Sequence, residues 1–116
     1  MKIAVVGSRE WNHLKLLEST LCKEFTQAVV TEFISGGARG VDSYAEKLAK
    51  DYQLKITIFK PDWDKYGKSA GYKRNKLIID EADKVIAFWS GKSKGTKHSI
   101  DLAIQAGKPI DIYVRS

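Results

Sequence analysis

Apolar positions along the chain alternate between two periods. Residues 2–6, KIAVV, form a short unbroken run of the kind that reads as a strand buried on both faces. Over 13–27 the spacing changes. Leu14, Leu17, Leu21 and Phe25 recur three or four apart, which predicts an amphipathic helix. Residues 32–35, EFIS, predict a second strand, with Val29 and Val30 just before it. Val41, Ala45, Leu48, Ala49 and Tyr52 share one face of a helix over 41–52. Residues 54–60, LKITIFK, alternate and are β-branched, as a third strand requires. PDWDKYGKSA, residues 61–70, reads as a loop, and a helix over 71–82 carries Leu77, Ile78 and Ala82. A fourth strand over 84–89, KVIAFW, leads into the loop SGKSKG. The helix over 96–106 places Ile100, Ala103 and Ile104 together and stops at Gly107, with Pro109 beyond. Residues 110–114, IDIYV, make the fifth strand.

Strands that alternate with helices build βαβ units and a parallel sheet. Right-handed crossovers then favour one α/β layout, a three-layer Rossmann-like sandwich with a five-stranded parallel sheet in the order 3-2-1-4-5. The expectation is one domain over residues 1–116. In such sheets ligands sit outside the carboxyl ends of the strands at the switch point, here between the first and fourth strands. The unusual residues all follow strand ends. These are Gly7, Ser8 and Arg9, then Gly36 to Asp42, then the loop leading to Arg74 and Asn75, then Gly91 to Thr96.

Composition narrows the partners. The net charge is +6, which favours anions such as nucleotides, phosphates or nucleic acid. Most of the excess is lysine spread along helices (Lys15, Lys23, Lys47, Lys50, Lys84, Lys108), as expected of solvated faces. Arg9, Arg39 and Arg74 instead fall in predicted loops or at a helix start. No apolar run approaches the roughly 20 residues of a membrane span, and the apolar start is too short for a signal peptide, so a cytoplasmic protein with no membrane partner is the default. The single Cys22 excludes an intrachain disulfide, matches no zinc pattern and reads as a buried thiol beside Leu21 and Phe25.

The stretch SGGARGVD, residues 35–42, has two readings. Gly36, Gly37 and Gly40 let backbone N–H groups approach an anion at a helix N-terminus, and Arg39 adds a contact to phosphate. Alternatively this is a strand-to-helix turn with a Ser43–Glu46 capping box, which explains Ser43 but not three glycines and an arginine. The spacing is not the dinucleotide fingerprint GxGxxG. SGKSKGT, residues 90–96, is not a P-loop, yet Ser93, Gly95 and Thr96 offer a second anion cradle, with Thr96 as N-cap the plainer reading. Ser8 either meets a ligand or ends the first strand. Arg74 and Asn75 either contact a ligand or face solvent. Trp63 and Tyr66 either stack on a base or pack their loop. His13 and His98 lack metal spacing, and Asp62 and Asp64 fit ordinary turn chemistry. No catalytic residue, metal or cofactor is assigned from residue chemistry.

Taken together, GSR after the first strand, GGARGVD after the second, AGYKRN opening a helix and KGT after the fourth resemble the SLOG superfamily, and within it the small single-domain YspA-like (DUF2493) group. The resemblance covers nearly the whole chain. It implies a Rossmann-like domain that binds a nucleotide or nucleotide-derived molecule, with phosphate on the second-strand and fourth-strand glycine loops. Relatives include the Lonely Guy phosphoribohydrolases, whose PGGxGTxxE motif places a glutamate where this chain has Ser99, and the DNA-processing protein A family. Arg74 is similar in placement to the arginine of the Lonely Guy enzymes, and Gly95 and Thr96 to their glycine and threonine. Three expectations follow. The first is a sensor or sequestering module for a nucleotide-derived small molecule. The second is a nucleotide hydrolase with Asp42, Asp62 or Asp101 replacing the missing glutamate. The third is a single-stranded DNA binder using Trp11, Trp63 and Tyr66, which read as exposed, with only weak, salt-dependent nucleic-acid affinity expected. A homo-oligomer is compatible with all three.

Overall fold

In the computed structural model, which describes residues 1–116, strand β1 (Lys2–Gly7) is followed by helix α1 (Leu14–Phe25), β2 (Glu32–Ser35) and α2 (Val41–Asp51). Then come β3 (Lys55–Ile58), the one-turn α3 (Trp63–Tyr66) with a 3-10 turn over Gly67–Ser69, and α4 (Ala70–Glu81). Strand β4 (Lys84–Trp89), α5 (Lys94–Gln105) and β5 (Ile110–Val114) complete the chain. The strands form one parallel sheet in the order β3-β2-β1-β4-β5, the expected α/β topology. Ala4 pairs with Ile34 on one side and with Val85 on the other, which fixes the register at the centre. No helix is long and apolar enough to cross a membrane.

Alternation along β1 divides the core. Ile3 and Val5 join Leu17, Leu21, Phe25, Phe33, Val41 and Phe88 under α1 and α2. Ala4 and Val6 join Ile34, Ile78, Ile79, Ala87, Ile100 and Ala103 under α4 and α5. Each fully buried Ile, Leu or Phe contributes roughly 1.5–3 kcal/mol, so the unbroken apolar runs of β1 and β4 hold both helical layers. Close packing extends to the end of β1. A Cβ on Gly7 would stand 2.6 Å from the Val41 side chain, so a glycine is needed for α2 to settle there.

Several expectations change. Residues 61–70 are not a plain loop, because the Asp62 side chain accepts the Lys65 N–H (3.1 Å) and nucleates α3. Trp11 is buried rather than exposed. It packs edge-on against Phe88 at 5.3 Å and its indole N–H donates to the His13 carbonyl. Lys84 is not a solvated lysine. It lies between Glu24 (2.8 Å) and Asp111 (3.2 Å), and its hydrogen bond to Glu24 raises its pKa. Cys22 is half-buried at the margin of the core. Leu14, Leu77 and Ile104, though on helices, are half or more exposed. No capping box forms on α2. Ser43 Oγ donates to the Ala38 carbonyl, and Glu46 accepts from Ser35 Oγ instead.

Candidate functional site

The first helical turns that follow β2 and β4 meet the start of α4 at the carboxyl edge of the sheet. Arg74, in the second turn of α4, reaches across this junction. Its Nη1 donates to the Gly36 carbonyl at 2.7 Å and its Nε donates to Asn75 Oδ1 at 3.0 Å. A Cβ on residue 36 would sit 2.7 Å from that Nη1, so the glycine is what lets the guanidinium lie against the β2 loop. Asn75 is itself buried, and its Nδ2 donates to the Gly95 carbonyl (3.4 Å) and to His98 Nδ1 (3.3 Å). The His98 ring lies 4.4 Å from Tyr72, and burial lowers its pKa, which favours the neutral ring whose Nδ1 accepts that bond. Asn75 therefore positions Arg74 and ties α4 to α5.

Asp42 stands on the other side of the guanidinium, 8% exposed in the first turn of α2. Its Oδ2 accepts the Ala38 N–H at 3.1 Å. Burial pushes its carboxyl up to about 6, while the Ala38 bond and the charge of Arg74 act in the opposite direction. Burial also lowers the pKa of Arg74; Asp42 favours its charge and Arg9 disfavours it. The Arg74 guanidinium thus lies under the influence of one buried carboxyl, which favours its charge, and of a second guanidinium, which opposes it. None of Arg9, Arg39 and Arg74 is in an ion pair; all six ion pairs use lysine. An anion between the arginines would relieve their repulsion.

At the N-terminus of α5, Ser93 is the cap in place of Thr96. Its Oγ accepts the Thr96 N–H at 3.3 Å. The Thr96 hydroxyl turns inward to Ser93 Oγ (3.2 Å) and Ser8 Oγ (3.4 Å). The N–H groups of Lys94 and Gly95 begin the helix without intrahelical acceptors and carry its positive dipole end. In the loop ahead of α2, two backbone donors are already engaged. Ser35 Oγ accepts the Gly37 N–H and Asp42 accepts that of Ala38. Gly40, the N-cap of α2, has φ +79°, and a Cβ there would stand 3.0 Å from the Arg9 carbonyl.

These elements enclose a cleft of about 330 Å³ lined by Gly7, Arg9, Gly36, Asp42, Arg74, Asn75, Ser93, Gly95 and Thr96, together with Glu10, Ala38 and Ser99. An adjoining recess of about 430 Å³ shares Arg9, Gly36 and Arg74 and adds Gly37, Arg39, Lys60, Pro61 and Trp63. Of the loop and α4 residues expected to meet a ligand, Ser8 and Gly40 line neither space, and of the candidate stacking aromatics neither do Trp11 and Tyr66. Ser8 is buried and accepts the Ser90 N–H at 3.0 Å, and Gly40 supports the backbone of Arg9. Glu10, fixed by Ser90 Oγ at 2.9 Å, and Lys60 went unnoticed in the sequence. Their signal was position, one residue beyond Arg9 and just past the end of β3. Asp62 caps α3 and Asp101 pairs with Lys97 at 2.9 Å on α5; neither faces the cleft, whose carboxyls are Asp42 and Glu10. No cluster of three or more metal-ligating side chains is found.

Comparison with known proteins places the chain in a family and agrees with the fold. The family model described as the YspA, cpYpsA-related SLOG family matches residues 1–66. Gene 61 protein of Mycobacterium phage D29 is 30% identical over an alignment of 116 positions that covers 94% of this chain and 93% of that protein. Among solved structures, DNA processing protein A of Helicobacter pylori, described for its single-stranded DNA binding mode, superposes with a TM-score of 0.74 at 23% identity. The match covers 97% of this chain and 64% of that one. DNA processing protein A of Streptococcus pneumoniae gives 0.77 at 21% identity, over 97% of this chain and 49% of that one. The present chain therefore spans about half to two thirds of the length of these two structures, and at these identities the likeness concerns the fold.

Proposed function

As the chain belongs to the YspA, cpYpsA-related SLOG family, we propose that its cleft binds a nucleotide or nucleotide-derived small molecule, as a sensing or sequestering module. The observation that carries this is the pair Arg9 and Arg74, without ion-pair partners and facing the open N-terminus of α5 across one cleft. A phosphate fits this environment: two guanidinium groups and the first turn of α5, with its free N–H groups and positive dipole end, border one cleft. The adjoining recess supplies a place for the rest of the ligand. Trp63 is 57% exposed there beside Lys60, a suitable face for an aromatic base. The cleft volume falls within the range of about 300–1,000 Å³ usual for small-molecule sites. Asn75 and Gly36 act as positioning residues, holding the guanidinium where the phosphate would arrive.

A second reading is a single-stranded DNA interface, in which the same cleft holds one backbone phosphate and Trp63 and Tyr66 stack on bases. The fold shared with DNA processing protein A and the exposure of both aromatics favour it. A third is hydrolysis of the ligand, with Asp42 as the proton-exchanging carboxyl of the cleft. The first two separate by titrating the protein with a nucleoside 5′-monophosphate and with an oligothymidylate at several salt concentrations. Small-molecule binding predicts saturation by the monophosphate and displacement of the oligonucleotide from the cleft. A DNA interface predicts tighter oligonucleotide binding, with affinity falling by a log–log slope of about −0.7 per phosphate contacted and little competition from the monophosphate.

A further inference from the structure

We propose that this chain forms a two-fold dimer by antiparallel pairing of β5 with β5 of a second copy. Strand β5 is the free edge of the sheet beyond β4. The Arg115 N–H donates to the Trp89 carbonyl and the Pro109 carbonyl accepts the Val85 N–H, each within 3.0 Å. Odd-numbered residues of β5 therefore turn their backbone groups towards β4, and Ile110, Ile112 and Val114 present theirs outwards. The edge carries none of the usual protection on that side. No proline lies within β5, and the side chains of Ile112 and Val114 are 42% and 46% exposed. Helix α5 extends the apolar strip. Asn75 and Tyr72 of α4 meet α5 at Gly95 and His98, while Ile104 projects from the opposite flank of the helix and is 59% exposed.

The occupant follows from the order of side chains along the edge. Antiparallel pairing of two copies centred on Tyr113 sets Ile112 opposite Val114 of the second copy, in hydrogen-bonded pairs formed by those free outward groups. The neighbouring non-hydrogen-bonded pairs, where side chains approach most closely, are then Tyr113 with its own copy and Asp111 with Arg115, twice by symmetry. Asp111 is half exposed and reaches Lys84 from one side only, and Arg115 meets no carboxylate within its own chain. Centring on Ile112 or on Val114 forfeits both cross-strand ion pairs. The edge is thus self-complementary in one register, the requirement of a two-fold interface. Antiparallel edges point the carboxyl ends of the two sheets in opposite directions, so both clefts stay open. The dimer is independent of what the clefts bind.

Sedimentation equilibrium of the full chain tests this. The expected result is a weight-average mass that rises with concentration towards twice 13.0 kDa. Arg115→Asp alone and Asp111→Arg alone should each be monomeric, since each sets like charges opposite one another. An equimolar mixture of the two variants should dimerise again, because one chain then carries arginine at both positions and the other carries aspartate at both. Ile112→Pro removes an outward N–H without touching the ladder to β4. It should abolish the dimer while leaving circular dichroism and the melting temperature near those of the wild type. A wild type that stays monomeric at every concentration overturns the proposal. So does a dimer that survives Ile112→Pro, or a mixture of the two charge variants that fails to associate.

Discussion

Replacing Asp42 with asparagine isolates the electrostatics of the cleft. In the folded chain the carboxyl is pushed from 3.8 up to about 6, and burial is the largest cause. A raised folded pKa means that the native state binds its proton more tightly than the unfolded chain does. The corresponding stability is complete below pH 3.8 and is lost as pH rises through about 6. At 1.36 kcal/mol per pH unit, a carboxyl moved that far costs the native state about 3 kcal/mol once it is ionised. Asparagine cannot ionise and retains an oxygen to accept the Ala38 N–H. Unfolding by urea should therefore show the variant gaining on the wild type by up to about 3 kcal/mol between pH 4 and pH 8, with most of the gain between the two pKa values. Other titrating groups cancel in the difference between the two proteins, and any constant cost of the new amide moves the whole curve without bending it. Parallel stability curves would refute the desolvation of Asp42 and with it the tightly packed cleft floor.

The same carboxyl faces the anion, so sulfate, whose charge is constant in this range, should bind more weakly as pH rises through about 6, and asparagine at 42 should flatten that profile in a fluorescence or calorimetric titration. Arg74→Ala should weaken a nucleotide ligand by about 1.5–3 kcal/mol, the scale of a charged hydrogen bond, measured by calorimetry with circular dichroism to confirm the fold. Gly36→Ala should reproduce much of that loss, because its methyl takes the space of the Arg74 guanidinium; binding equal to wild type would show that the guanidinium need not lie against the loop. Cleavage of an N-glycosidic bond develops positive charge on the sugar, which Arg9 and Arg74 oppose and the buried Ser99 hydroxyl cannot stabilise. Chromatography should accordingly find negligible free base from nucleoside 5′-monophosphates, and turnover abolished by Asp42→Asn would move the hydrolase reading to first place.

The sheet was readable because its signals are strong and local. The runs KIAVV and KVIAFW have no competing period, and turn residues follow each strand, so the strand order and the edge that carries the cleft followed from topology. The glycines after β2 stand out in the sequence, but what their lack of a side chain makes room for lies far along the chain. Gly36 makes room for Arg74 from 38 residues away and Gly40 for the backbone of Arg9, contacts that no local pattern encodes. Trp11 looked exposed because it follows a polar turn; its burial depends on Phe88 in a strand far along the chain. Lys84 looked like one more solvated lysine because both its acidic partners are distant in sequence. Ser93 took the cap from Thr96 by starting α5 two residues early, within the uncertainty of any helix end. Ser8 and Thr96, each next to a glycine that stands out in the sequence, spend their hydroxyls on joining β1 to the loop after β4.

On the proposed function, Arg9, Arg74 and the first turn of α5 receive a nucleotide phosphate. Titrating isotopically labelled protein with a nucleoside 5′-monophosphate, and in parallel with the parent nucleoside, reads this directly by nuclear magnetic resonance. The backbone amides of Lys94 and Gly95 and the Nε–H signals of Arg9 and Arg74 should shift and saturate together with the monophosphate. The nucleoside should leave them nearly unmoved, and Arg74→Ala should abolish the saturation. Shifts confined to the opposite edge of the sheet, or equal responses to nucleoside and monophosphate, would contradict it.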